Sequence, residues 1–139
     1  MTSLSFPDVN VWLALATAEH VHYATARRWW ERETSRIAFS RMTQIGFLRL
    51  MTTAAAMDGK PLSMAEAWRV HDRLFEDDRV EFCPEPPAVA ARFREFTSGR
   101  IASPKVWADA WLLAFAREAG GTLVTFDRAL AVRGAQCLL

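Results

Sequence analysis

The chain has 139 residues, 51% of them hydrophobic and 24% charged, with a formal net charge of +1. That length supports one domain with its own core, and the apolar content excludes intrinsic disorder. The near-neutral balance excludes a global electrostatic pull toward nucleic acid, so any such contact must be local. The basic side chains are all Arg apart from Lys60 and Lys105. Arg presents a planar donor fork suited to phosphates and to partner carboxylates, although genomic base composition accounts for the bias equally well. Cys83 and Cys137 lie in apolar, strand-like segments without metal-ligand spacing. They read as free buried thiols of a reducing cytosol. No apolar stretch approaches the roughly 18 residues needed to span a bilayer, and no basic segment precedes an apolar run at the N-terminus. The expectation is a soluble, cytoplasmic protein that does not enter a membrane.

In chain order, Leu4 to Val9 reads as a strand and Asn10 to Thr17 as the start of a helix. His20 to Glu33 is a helix with Tyr23, Ala26 and Trp30 on one side and Arg27, Arg28 and Glu31 on the other. Ile37 to Ser40 is a second strand, and Arg41 to Ala56 a helix that stops before Asp58-Gly59-Lys60-Pro61. Ser63-Met64-Ala65-Glu66 is a capping box opening a helix to about Glu76. Arg79 to Cys83 is a third strand, ended by Pro84, Pro86 and Pro87, and Val89 to Thr97 is helical. Ser103-Pro104 signals the start of an apolar helix that Gly120-Gly121 closes. Thr122 to Phe126 is a fourth strand, Asp127 to Val132 a helical turn, and Gln136 to Leu139 a fifth strand. Strands separated by helices predict a single α/β domain over residues 1–139, a three-layer α/β/α sandwich around a mostly parallel sheet.

Three carboxylates stand out against this background. Asp8 sits in Phe6-Pro7-Asp8-Val9, Asp109 in Trp107-Ala108-Asp109-Ala110-Trp111, and Asp127 in Thr125-Phe126-Asp127. Asp109 is the only charged residue between Lys105 and Arg117. A carboxylate in such surroundings must be protonated, paired or neutralised by a cation, because leaving it bare costs several kcal/mol, of order. Asp8 and Asp127 both follow strands, and ligands of open parallel sheets collect at the carboxyl ends of strands. Both positions also suit a helix N-cap. Asp109 lies about one turn inside its helix, where the alternative to a shared cation is a salt bridge to an Arg.

The segments Phe6-Pro7-Asp8-Val9-Asn10-Val11-Trp12-Leu13-Ala14-Leu15, Thr43-Gln44-Ile45-Gly46-Phe47-Leu48-Arg49-Leu50, Ala108-Asp109-Ala110 and Leu123-Val124-Thr125-Phe126-Asp127-Arg128 occur in an informative order. Together they resemble PIN-domain proteins and, more narrowly, the VapC toxins of bacterial toxin–antitoxin pairs. The resemblance spans almost the whole chain. It implies a five-stranded sheet in the order 3-2-1-4-5, a default dimer, and an endoribonuclease that uses Mg²⁺ or Mn²⁺. Asp8, Asp109 and Asp127 match the family's acidic cluster, Asn10 the polar residue after the first Asp, and Thr125 the hydroxyl residue before the last. It further implies a VapB-type antitoxin that covers the acidic crevice, and a tRNA or rRNA substrate.

One departure concerns Gln44, matched to a position where many relatives carry Glu. An amide orients a water or a ligand but brings no charge, which leaves three carboxylates and favours one tightly held ion. Arg49 and Lys105 are candidate phosphate contacts, with solvated helix-face charge as the plain alternative. His20 and His22, two residues apart, do not share a helical face, and like His71 they read as structural or solvent-facing. Two other readings stay open. The domain could be a weak or inactive PIN module that binds RNA or its partner. It could also be an unrelated nucleotide-binding α/β protein, although no Gly-rich phosphate loop follows the first strand.

Overall fold

The structure is a computed structural model, and it describes residues 3–139. Its elements follow in the order β1 (Leu4–Pro7), α1 (Val9–Ala16), α2 (Tyr23–Arg32), β2 (Arg36–Phe39), α3 (Arg41–Met51) and α4 (Met64–Leu74). Then come β3 (Val80–Phe82), α5 (Val89–Phe96), α6 (Val106–Glu118), β4 (Thr122–Thr125), α7 (Arg128–Ala131) and β5 (Gln136–Cys137). The strands form one five-stranded sheet in the order β3-β2-β1-β4-β5, with each neighbouring pair parallel. This is the expected architecture and strand order.

Period-2 alternation along the strands explains the layers. Ile37 and Phe39 of β2 and Val124 of β4 face a core built from α1, α2, α3 and α4. Ala38, between Ile37 and Phe39, and Leu123, next to Val124, face the core of α5, α6 and α7. Because both faces are covered, the strands read as continuous apolar runs. In the first core Trp12 stacks on Phe39, ring centroids 3.8 Å apart and planes 9° from parallel. In the second Phe6 meets Phe115 edge-on at 4.7 Å. Gly120 ends α6 in the left-handed region at φ 73°. A Cβ on Gly121 would lie 2.5 Å from the Leu4 carbonyl oxygen, so only glycine lets β4 start this close to β1.

Several boundaries differ from the sequence expectation for local reasons. Helix α3 stops at Met51 and does not run to Ala56. The Thr52 hydroxyl donates to the Leu48 carbonyl at 3.0 Å and the Thr53 hydroxyl to the Arg49 carbonyl at 2.6 Å, so side chains take the carbonyls a further turn would use. The helix carrying Asp109 begins at Val106, and Ser103 caps nothing through its side chain. Its carbonyl instead accepts from the Val106 amide in a turn, at 3.1 Å. Strand β5 is only two residues long, and Cys83 and Cys137 are half-exposed free thiols, not buried ones. No helix among the described residues is long and apolar enough to cross a membrane.

Candidate active site

The pairing of β1 with β4 builds the site. Their register sets Pro7 opposite Val124, and the Asp8 amide donates to the Val124 carbonyl at 2.8 Å. Asp8 therefore leaves the sheet beside Thr125. Thr125 is fully buried and its hydroxyl works in both directions. It donates to Asp8 Oδ2 at 3.3 Å and accepts from the Asp127 amide at 3.0 Å. One hydroxyl thus ties the first carboxylate to the backbone that carries the last.

Capping and site-building prove compatible. Asp8 Oδ1 accepts from the Val9 amide at 2.7 Å and opens α1. Asp127 Oδ1 accepts from the Ala129 amide at 2.9 Å and opens α7. Each bond engages one oxygen and fixes the rotamer; the second oxygen of Asp8 takes the Thr125 hydroxyl, and that of Asp127 has no hydrogen bond among the described residues. Asp109 stands in the first turn of α6. Among the described residues, no hydrogen bond or salt bridge engages it.

The electrostatics link all three. Burial, and after it the charges of Asp109 and Asp127, push the Asp8 carboxyl above its ordinary value, against the Val9 and Thr125 hydrogen bonds. Asp109 is also pushed up, by burial and then by Asp127, with Arg133 opposing. Neighbouring like charge thus adds to burial in raising Asp8 and Asp109, and an added cation would relieve it. The donor set, carboxylate and hydroxyl oxygen, suits a hard divalent ion. As the side chains are placed, no three His, Cys, Asp or Glu groups among the described residues stand close enough to enclose a metal. The three aspartates are therefore gathered but not closed on a centre.

The remaining sequence candidates divide. Asn10 is exposed in the first turn of α1. Lys105 is exposed at the N-cap position of α6, one turn before Asp109. Arg49 lies in the last turn of α3, beside an apolar groove of Ile45, Leu48, Thr52, Met64 and Trp68. Gln44 is buried and turned toward α4, with its amide between Arg41 and His71. The residue of α3 that presses on the start of α1 is Gly46, where a Cβ would meet Val9 Cγ2 at 2.8 Å. Arg133, which acts on Asp109 from the turn before β5, carried no signal in the sequence because only the fold brings it near.

A PIN-domain family model matches residues 5–135. Ribonuclease VapC41 of Mycobacterium tuberculosis is 39% identical over 133 residues, covering 91% of each chain. Ribonuclease VapC44 of the same organism is 33% identical over 126 residues, covering 90% of this chain and 87% of its own. Among solved structures, VapC20 of M. tuberculosis, a sarcin-ricin loop cleaving toxin, superposes with a TM-score of 0.65. It is 17% identical, over 94% of this chain and 95% of that one. Sheet order, ordered motifs and near full-length identity agree, and the chain belongs to the PIN-domain family, among its VapC proteins.

Proposed function

We propose that this protein is a toxin-type endoribonuclease that hydrolyses RNA phosphodiester bonds with Mg²⁺ or Mn²⁺ held by Asp8, Asp109 and Asp127. The observation that carries the reading is the convergence of three carboxylates from β1, α6 and the end of β4. Relatives named as ribonucleases and matched over nearly the full length support it. A bound divalent ion supplies an acidified water and polarisation of a phosphoryl oxygen. Thr125 holds the Asp8 carboxylate in one orientation, and Asn10 borders it from the first turn of α1. Lys105 lies one turn from Asp109 along α6 and is the first candidate for a substrate phosphate, with Arg49, in the last turn of α3, the second.

The same reading extends to partners. A VapB-type antitoxin that inserts an Arg against Asp8 or Asp109 would replace the cation's charge and block the rim. A homodimer acting on tRNA or rRNA in the cytoplasm completes the proposal. The second reading, a weak or inactive module that binds RNA or its antitoxin, is favoured by one observation. The Gln44 side chain is buried and turned to Arg41 and His71, and an amide there brings no charge to the rim.

The test is cleavage of a total tRNA and rRNA pool by antitoxin-free protein with Mg²⁺, with Mn²⁺ and with EDTA, beside Asp109→Asn. Calorimetric titration of metal into each protein runs in parallel. Discrete cuts that need metal and Asp109, with metal affinity lost in the variant, are expected. Metal binding without any cutting would leave the binding module as the reading that stands.

A further inference from the structure

We propose that His20, His22 and Phe126 form a stacking platform for one unpaired nucleobase beside the bond that is cut. The proposal rests on the ribonuclease reading. Phe126 lies between Thr125, whose hydroxyl holds Asp8, and Asp127. At about 3.3 Å per residue along an extended chain, its ring is within a nucleotide's length of the acidic rim. The His22 ring packs on Phe126 at 4.7 Å, and His20 lies nearly parallel to Phe126 at 6.3 Å with planes 22° apart. The two imidazoles stand 5.8 Å from each other.

All three residues are partly exposed; Phe126 packs in part against the first core, and the two imidazoles extend its aromatic surface outward. The connection between α1 and α2 is held by hydrogen bonds of its own. His20 Nδ1 accepts from the His22 amide at 3.0 Å, which leaves the ring proton on Nε2. Burial and then the nearby His22 push His20 below the ordinary imidazole value, so it offers a neutral π-face more than a charge. His22 occupies the N-cap position of α2 yet makes no capping bond, so helix formation does not account for it. Unpaired bases bind proteins by stacking on such rings, largely without regard to base identity.

The test measures binding, with full-length Asp109→Asn protein so that the probe survives. The probes are a fluorescein-labelled oligoadenylate RNA octamer and a fully abasic ribose-phosphate octamer of equal charge. His22→Ala is expected to weaken octamer binding about tenfold, the scale of one lost base stack, and to leave the abasic probe unchanged. His22→Phe restores affinity, whereas His22→Gln, polar but without an aromatic face, does not. Equal weakening of both probes, no weakening of either, or a His22→Phe protein no better than His22→Ala would each overturn the platform. The outcome is separable from the nuclease reading. Metal-dependent cleavage without base-dependent binding sinks the platform alone, and base-dependent binding by a wild-type protein that never cuts sinks the nuclease alone.

Discussion

Two polar clusters stand out in this domain, and they are built on opposite principles. Between α3 and α4, Arg41 donates to Gln44 Oε1. A guanidinium only donates, so the amide is oriented and Gln44 Nε2 faces His71 Nε2 at 3.2 Å. That ring nitrogen must then accept, and the His71 proton rests on Nδ1, 2.9 Å from Asp72 Oδ1. Every group has its complement. At the sheet rim Asp8 has one hydroxyl donor, Asp8 and Asp127 each accept from one backbone cap, and no salt bridge reaches any of the three carboxylates among the described residues. A closed network stabilises a fold, and an open one of like charge stores a demand for a ligand.

The sharpest way to break the contrast is Asp109→Asn. Removing one carboxylate from a charge-stabilising centre should cost cleavage on the order of 10³-fold, read as initial rates on the substrate RNA. It should not cost stability, because Asp109 is held up by burial and by Asp127. A melting temperature in EDTA well below that of the wild type would show that Asp109 serves the fold.

The next largest effect belongs to the closed cluster. His71 is buried against Phe39, Phe75 and Trp68. His71→Ala removes that packing and leaves the Gln44 amide without its acceptor, at a cost of about 2–4 kcal/mol. At roughly 2–4 °C per kcal/mol for a domain near this size, the melting temperature falls by several degrees. Cleavage per folded molecule and metal affinity stay near wild type. A large loss of metal affinity with unchanged melting would move Gln44 and His71 into the site.

The open cluster was legible in the sequence and the closed one was not. Asp8, Asp109 and Asp127 announce themselves because a charge in an apolar run has no local explanation. The sheet likewise follows from short apolar runs separated by helical patterns. His71 and Gln44 are 27 residues apart; His71 looks ordinary in its own helix, and Gln44 drew notice only through the Glu that relatives carry, which pointed to the rim and not to His71. Their meaning exists only once α3 lies against α4. The misplaced ends of α3 and α6 have the same origin, since Thr52, Thr53 and Ser103 bind neighbouring backbone in ways that residue preferences leave undecided.

Thr125→Val tests the hinge of the open cluster with little change of shape. The variant loses the donor to Asp8 and the acceptor for the Asp127 amide. Partners that orient a metal ligand are worth roughly 10–100-fold in affinity, so Mg²⁺ binding by calorimetry should weaken by about tenfold. Thr125→Ser, which keeps the hydroxyl, should recover most of it. Equal weakening in both variants would show that the hydroxyl is not what orients the Asp8 carboxylate.

The smallest effect is electrostatic and its sign is determined. Asp8 and Asp109 have folded-state values above the ordinary 3.8. Between that value and the raised ones, the folded protein holds protons that the unfolded chain has released. The favourable contribution is therefore complete below the unfolded value and is lost as pH rises through the raised folded values. Asp8 is the more enclosed group and should dominate, with the more exposed Asp109 screened by solvent. In EDTA, the melting temperature of wild type relative to Asp8→Asn should decline as pH rises from about 4 toward neutrality. Mg²⁺ acts against this trend, because it binds the ionised carboxylates and stabilises only the state that gathers them. Its stabilising increment should therefore be larger at pH 7.5 than at pH 5, by an amount that Asp8→Asn abolishes. An increment independent of pH would mean that the ion binds elsewhere than at carboxylates forced together by the fold.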